Sequence, residues 1–354
     1  MEAIREEISR NGPIPFERFM ELALYGPGGF FATEKLRSVP SGDFLTSPEV
    51  SPLFGATLAR FVAAERERIG EPFALVDLGA GSGSLLGALL ADLPVEAWAV
   101  EASPAARVAL SSVIAQTRVA ASVGELPAPL RGVVIANELV DNLPTALAQL
   151  TEDGWRERWV GLEGAGYVFV DAPVRPEVGD WLGRFAGPTK PGDWVECQLA
   201  ARQWLTEILS RLTAGALLII DYGELAENLA HRRADGTLRT YRAHHLGPHP
   251  LDEPGATDIT SDVNFSALIT TCREAGWECE VLRQDDFLEI WGLRDQLAGL
   301  RRQELAAAGS NEDLRLRLRS QRTAGETLLH ERGLGDFRFL LARPGNLPGQ
   351  AQQK

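Results

Sequence analysis

Ala74-Leu75-Val76-Asp77-Leu78-Gly79-Ala80-Gly81-Ser82-Gly83 runs from an apolar stretch through an acid into glycines at alternate positions, and Ser84-Leu85-Leu86-Gly87-Ala88-Leu89-Leu90 follows directly. A short apolar run bounded by glycine predicts a strand buried on both faces, and the leucine-rich segment after it predicts an amphipathic helix. The glycine turn between them lets the backbone reverse tightly and admits a ligand against bare peptide N–H groups at a helix N-terminus. Trp98-Ala99-Val100-Glu101 predicts the next strand, ending in an acid that can accept hydrogen bonds from both hydroxyls of a ribose. The dinucleotide fingerprint is excluded, since G-x-G-x-x-G begun at Gly79 needs a glycine at Ser84 and begun at Gly81 needs one at Leu86. No lysine stands nearby, so a phosphate-binding P-loop is excluded too. A glycine turn of some other α/β fold stays open at this point.

Outward from that stretch the chain alternates: strands near 95–101, 118–123 and 132–137 with helices at 84–92 and 104–116 between them, which the right-handed crossover rule makes parallel. Upstream, residues 1–24 predict two short helices broken at Gly12-Pro13, then a long irregular stretch, then a helix from Val50 to Ile69. Downstream, segments at 145–150, 155–160 and 167–170 separated by Asp153-Gly154 and Gly161–Gly166 predict an inserted antiparallel meander. A helix is expected over 194–212, a buried strand over 216–223, an irregular region over 231–262, a helix over 265–275, a strand over 277–282, helices over 286–330 and a last strand over 337–341.

Hydrophobic residues at 45% and charged residues at 24% describe an ordinary globular composition, and no apolar run reaches the ~18 residues that cross a membrane. The formal charge of −14, with basic residues spread among acids, argues against nucleic acid and favours a cationic substrate. Cys197, Cys272 and Cys279 lack metal-ligand spacing, and no metal is expected; His244, His245 and His249 read as loop histidines on a solvated surface. The acidic, helical N-terminus Met1–Ile8 is unlike a secretory or transit peptide, so a cytoplasmic location is expected.

Three further clusters stand where strands or loops end. In Asn137-Glu138-Leu139-Val140-Asp141-Asn142, paired carboxylates suit the planar fork of a guanidinium, although Asn137 or Asp141 serves equally well as a cap on a turn. Asp221-Tyr222-Gly223 reads either as a second strand-end site or as a polar turn. Asp43, Thr46, Ser47 and Glu49 beside Gly42 suit a loop gripping the amino-acid end of a cofactor, or a plain Ser-Pro turn.

Taken in order, these stretches resemble the MidA-type class I S-adenosylmethionine-dependent methyltransferases, a family that includes the mitochondrial complex I assembly-factor protein arginine methyltransferase. The carriers are Gly12-Pro13-Ile14, Gly42-Asp43-Phe44 with Thr46-Ser47-Pro48-Glu49, Leu78–Gly83, Glu101-Ala102-Ser103-Pro104, Asn137-Glu138 with Asp141 and Leu143-Pro144, Asp221-Tyr222-Gly223, Gly236–Arg242 and Asp258-Ile259-Thr260. Two departures stand near the expected substrate surface: Leu139-Val140 where the family shows two aromatics, and Asn264 where aspartate is common.

The resemblance implies an α/β fold with a doubly wound, mostly parallel seven-stranded sheet, preceded by a helical segment whose loop closes over the cofactor. Three regions follow: 1–70 as helical segment and covering loop, 71–343 as methyltransferase domain with insertions at about 145–190 and 224–262, and 344–354 as a flexible tail. Gly79, Gly81 and Gly83 are expected at the methionine and ribose end of S-adenosyl-L-methionine, Glu101 at the ribose, and Val123-Gly124-Glu125 at the adenine. Asn137 joins the cofactor set, and Asp43, Phe44, Thr46 and Ser47 are the expected lid contacts. Glu138 and Asp141 are expected to hold the acceptor nitrogen, with a protein arginine as the favoured acceptor. A small-molecule methyltransferase and a non-catalytic assembly factor that retains the cofactor pocket are the alternatives.

Overall fold

The computed structural model describes residues 2–32, 47–91, 93–114, 117–231, 236–242 and 245–345. Seven strands build the central sheet: β1 (Ala74–Leu78), β2 (Glu96–Val100), β3 (Thr117–Ala120), β4 (Leu130–Asn137), β5 (Leu212–Asp221), β6 (Trp277–Arg283) and β7 (Arg338–Pro344). Their order is β6-β7-β5-β4-β1-β2-β3. β1 to β5 pair in parallel, and β7 runs antiparallel to both β5 and β6. The sheet is therefore mostly parallel and seven-stranded. All five residues of β1 are buried, as expected where both faces of a sheet are covered by helices. β4 approaches β1 so closely at Gly132 that a Cβ there would stand 1.7 Å from the Ala74 carbonyl oxygen.

Helices clothe the two faces. Pro52–Ile69 packs its Phe54, Leu58 and Phe61 on one face; Ser51 caps it by accepting the Leu53 N–H, and Pro52 occupies the first turn. Leu199–Arg211 and Phe265–Glu274 cover the other face.

A second, antiparallel sheet takes the order Ile14–Pro15, Gly154–Glu163, Ala146–Thr151, Trp194–Cys197, with Gly166–Ala172 paired to Gly154–Glu163. The N-terminal helices Glu2–Asn11 and Phe16–Tyr25 bury Ile4, Phe16 and Phe19 in one cluster with Leu147 and Val160 of that sheet.

Three sequence expectations need correction. The helix expected over 194–212 begins at Leu199, because Trp194–Cys197 pairs with Ala146–Gln149. Val195 and Cys197 are buried there, and the buried Glu196 carboxylate accepts the N–H groups of Thr237 (2.7 Å) and Leu238 (3.3 Å). The strand expected over 118–123 stops at Ala120 and gives way to a 3-10 turn at Val123–Glu125. The region 231–262 contains a small sheet of Arg239–Arg242, His245–Leu246 and Asp258–Thr260. No helix among the described residues is long and apolar enough to cross a membrane.

Candidate active site

The C-terminal ends of β1, β2 and β4 open into a cavity of about 500 Å³. Parallel sheets collect ligand-binding residues at this edge, because every strand there ends facing the same way. Gly79 and Gly81 line the cavity floor with φ of 72° and 51°, a backbone region that a residue with a Cβ enters only at a cost. Beyond the turn, Gly83 (φ 79°) caps the helix Ser84–Leu90 and packs against Leu110 and Ile114, outside the lining.

Glu101, at the end of β2, is fixed from two sides. One carboxylate oxygen accepts the Gly81 N–H (2.9 Å) and the other the Ser103 N–H (2.7 Å). The acid and the glycine turn thus form one rigid piece of wall. Two oxygens on lining residues are buried without a partner, Asp77 Oδ2 and Asn137 Oδ1. Unsatisfied buried oxygens near the C-terminal ends of β1 and β4 ask for hydrogen-bond partners from a ligand.

Glu138 follows β4 with φ 50°, and among the described residues no other non-glycine residue has positive φ. Its N–H donates to the Ile220 carbonyl (2.8 Å), while its Oε1 accepts from the Ser47 N–H (3.3 Å) and Asn137 Nδ2 (3.3 Å). Strain of this kind persists where neighbouring bonds impose it, and it clusters at functional sites. Burial, reinforced by the nearby charges of Asp141 and Glu49, pushes the Glu138 carboxyl up to about 8. Asp77 is likewise pushed up to about 8, by burial and then by Glu101 and Glu49.

Asp141 lies behind this wall. The 3-10 turn Val140–Asn142 carries its side chain away from the lining toward Tyr222, whose hydroxyl donates to Asp141 Oδ2. Burial pushes Asp141 up to about 6. The turn is held from below by buried Asp221, whose Oδ2 accepts the N–H groups of Val140 (3.0 Å) and Asp141 (3.2 Å).

Of the other residues expected at the site, Ser47 bonds Glu138 through its backbone, while Gly124 and Glu125 stand outside the lining. Glu125 turns its carboxylate back onto the Ala121 N–H (3.2 Å). Asp43, Phe44 and Thr46 lie outside the described residues. Sequence reasoning missed Glu21, Tyr25, Phe31, Trp204 and Glu207, all of which line the cavity. Tyr25 and Phe31 stack at 5.5 Å, and the Tyr25 hydroxyl donates to the Asn142 carbonyl (3.2 Å). Asp77 was legible as the acid that closes a buried strand.

Electrostatically the wall is one-sided. Glu21, Glu49, Asp77, Glu101, Glu138 and Glu207 line it, and no lysine, arginine or histidine stands among the described lining residues. Such a wall favours ligands bearing positive charge.

Residues 57–282 match the model of a family of S-adenosyl-L-methionine-dependent methyltransferases, and the chain belongs to that family. It is therefore a methyltransferase with S-adenosyl-L-methionine as cofactor. A crystal structure from Burkholderia thailandensis bound to S-adenosyl-homocysteine superposes with a TM-score of 0.85 at 31% identity, covering 97% of this chain and 91% of that one. The mitochondrial protein arginine methyltransferase NDUFAF7 of Xenopus tropicalis is 29% identical over 81% of this chain and 74% of its own length. Its human counterpart is 28% identical over 81% of this chain and 72% of its own. Both are named mitochondrial, which overturns the cytoplasmic location expected from the N-terminal composition.

The residues present fit the cofactor. Its ammonium and sulfonium charges suit the acidic wall, its ribose hydroxyls suit Glu101, and the partnerless oxygens of Asp77 and Asn137 suit its amino group.

Proposed function

We propose that the protein methylates an arginine side chain of a protein substrate. The observation that carries this reading is the acidic wall with strained Glu138 at its centre. The names of the NDUFAF7 relatives support it. Bound S-adenosyl-L-methionine supplies an electrophilic methyl group on a sulfonium. This chain's residues then position the acceptor nitrogen and manage its proton.

Glu138 orients the guanidinium. Burial leaves its carboxyl protonated at neutral pH, and the arriving guanidinium cation favours the carboxylate, the displaced proton passing to solvent. The carboxylate then accepts the proton that the guanidinium nitrogen loses as it gains the methyl group. Asp141 acts on Glu138 through its charge, from behind the wall. Gly79, Gly81, Asn137 and Glu101 hold the methionine and ribose of the cofactor; Gly83, Gly124 and Glu125 shape the turns around it. Ser47 belongs to the proposed cover of the cofactor, a reading supported by the Ser47–Glu138 contact.

Residues 1–70 and the insertions at about 145–190, with its antiparallel strands, and 224–262 read as additions to the methyltransferase domain 71–343. The hydrophobic cluster shared by the N-terminal helices and those strands supports the first part of that division. The test is incubation with methyl-labelled cofactor and a cell extract, followed by acid hydrolysis of the protein fraction. Label in methylated arginine is the expected result. Label confined to small molecules, or to residues other than arginine, refutes it.

A further inference from the structure

We infer that Trp204 and Glu207, on the helix Leu199–Arg211, form the base-reading end of the cofactor site and that Glu207 selects adenine by accepting its exocyclic amino group. The inference rests on the proposed reading that Gly79, Gly81 and Glu101 hold the methionine and ribose of the cofactor, along the strand-end edge that continues from β1 and β2 to β3. Along that edge the glycine turn and Glu101 precede Ala121, Ser122 and Val123, which line the cavity just past β3. A nucleoside whose ribose meets Glu101 therefore has its base against this last segment.

The segment offers little to recognise a base edge. Val123 is apolar, and the Glu125 carboxylate is spent on its own turn through the Ala121 N–H (3.2 Å) and the Ser122 hydroxyl (3.4 Å). The facing wall is the helix Leu199–Arg211. Its Leu205, Ile208 and Leu209 share a hydrophobic cluster with Val123 and Leu126, and Arg211 Nη1 donates to the Leu126 carbonyl (3.0 Å). Trp204 and Glu207 are three residues apart on this helix, hence on one face, and both line the cavity. Glu207 Oε1 lies 3.9 Å from where a Cβ on Gly124 would stand, so it reaches across to the segment after β3. Arg211 Nη2 stands 3.6 Å from that oxygen, one helical turn further along.

The indole supplies an apolar face for a flat base, and the carboxylate supplies an acceptor at its edge. Adenine presents an amino donor there. Hypoxanthine presents an oxygen, which a carboxylate repels.

The probes are S-adenosylhomocysteine and its deaminated analogue S-inosylhomocysteine, titrated calorimetrically into the full-length protein and into Glu207→Gln. The wild type should prefer the adenosyl compound by about tenfold or more, the worth of one hydrogen bond to a charged acceptor. In Glu207→Gln, whose amide can accept from adenine or donate to hypoxanthine, the ratio should fall to about threefold or less. Near-equal affinities in the wild type, or an unchanged ratio in a variant with native circular dichroism, overturn the inference. If the wild type binds neither compound, the cofactor placement itself fails. As an independent check, Trp204→Phe should remove most of the ligand-induced quenching of tryptophan emission; undiminished quenching places the base elsewhere.

Discussion

Replacing Glu138 by glutamine should stabilise the protein and destroy its activity together. Both bonds to the side chain, from the Ser47 N–H and from Asn137 Nδ2, end on Oε1, which an amide oxygen can equally accept. What disappears is the ionisable carboxyl, pushed up to about 8 by burial and by the charges of Asp141 and Glu49. In the unfolded chain a glutamate titrates near ~4.3. Between these values the folded state holds a proton that the unfolded chain has released. The contribution of the neutral acid is therefore complete below the unfolded value and drains away as pH rises through the folded one. Each pH unit in that window is worth ~1.4 kcal/mol, giving a ceiling of ~3–4 kcal/mol at pH 7. Glu138 is partly exposed to the cavity, so screening reduces this to about 1–2 kcal/mol. Glutamine behaves as the neutral acid at every pH. Urea unfolding should thus show the variant level with wild type near pH 4.5, ahead of it at pH 7, and further ahead at pH 8.5. Methyl transfer should fall by ~100-fold or more, the usual loss with a positioned proton acceptor, while cofactor affinity stays nearly intact. A variant less stable than wild type at pH 8.5 refutes the electrostatic argument, and surviving turnover refutes the catalytic one.

Glu101→Ala removes the anchor of the Gly81 and Ser103 N–H groups together with the proposed ribose contact, so calorimetry should show cofactor affinity weakened ~10-fold or more; unchanged affinity would count against the ribose assignment. Gly132→Ala places a Cβ 1.7 Å from the Ala74 carbonyl oxygen between two central strands, and should cost several kcal/mol in urea unfolding, ~3 or more. Asp77, the lining acid whose buried carboxyl stands at about 8, should make S-adenosyl-L-methionine binding release a proton. Its advantage over the uncharged thioether product should therefore widen from pH 6 to pH 8, read by titration in buffers of different ionisation enthalpy; a pH-independent ratio contradicts this.

What the sequence made legible is what depends on near neighbours. The run Ala74–Leu78, the glycines after it and the acid at Glu101 are a strand period, a turn chemistry and a second strand, each readable within ten residues. Where partners are remote, the signal fades. Trp194–Cys197 is four residues long and becomes a strand only because Ala146–Gln149 lies beside it; standing before a helical stretch, it reads as more helix. Asp141 illustrates a different limit. Three positions from Glu138, it reads in sequence as part of the same site, yet the intervening 3-10 turn, pinned by Asp221 from the neighbouring strand, sends its side chain to Tyr222 instead. Glu21, Tyr25, Trp204 and Glu207 carry no local mark, because each reaches the cavity from a helix whose own pattern describes only its packing.

The convergence of carboxylates is also a tertiary product, and it explains the cavity's electrostatic character. Glu21, Glu49, Asp77, Glu101, Glu138 and Glu207 arrive from separate elements, so no stretch of sequence announces their meeting. Burial first, and then the charges of the neighbouring acids with no basic residue among the described lining, keep the protons on Asp77 and Glu138 at neutral pH. A sulfonium or a guanidinium entering this space replaces those protons as the compensating charge. The same burial and crowding of acids that weaken the fold as pH rises are what make the cavity selective for the cations that the proposed methyl transfer to arginine would bring together.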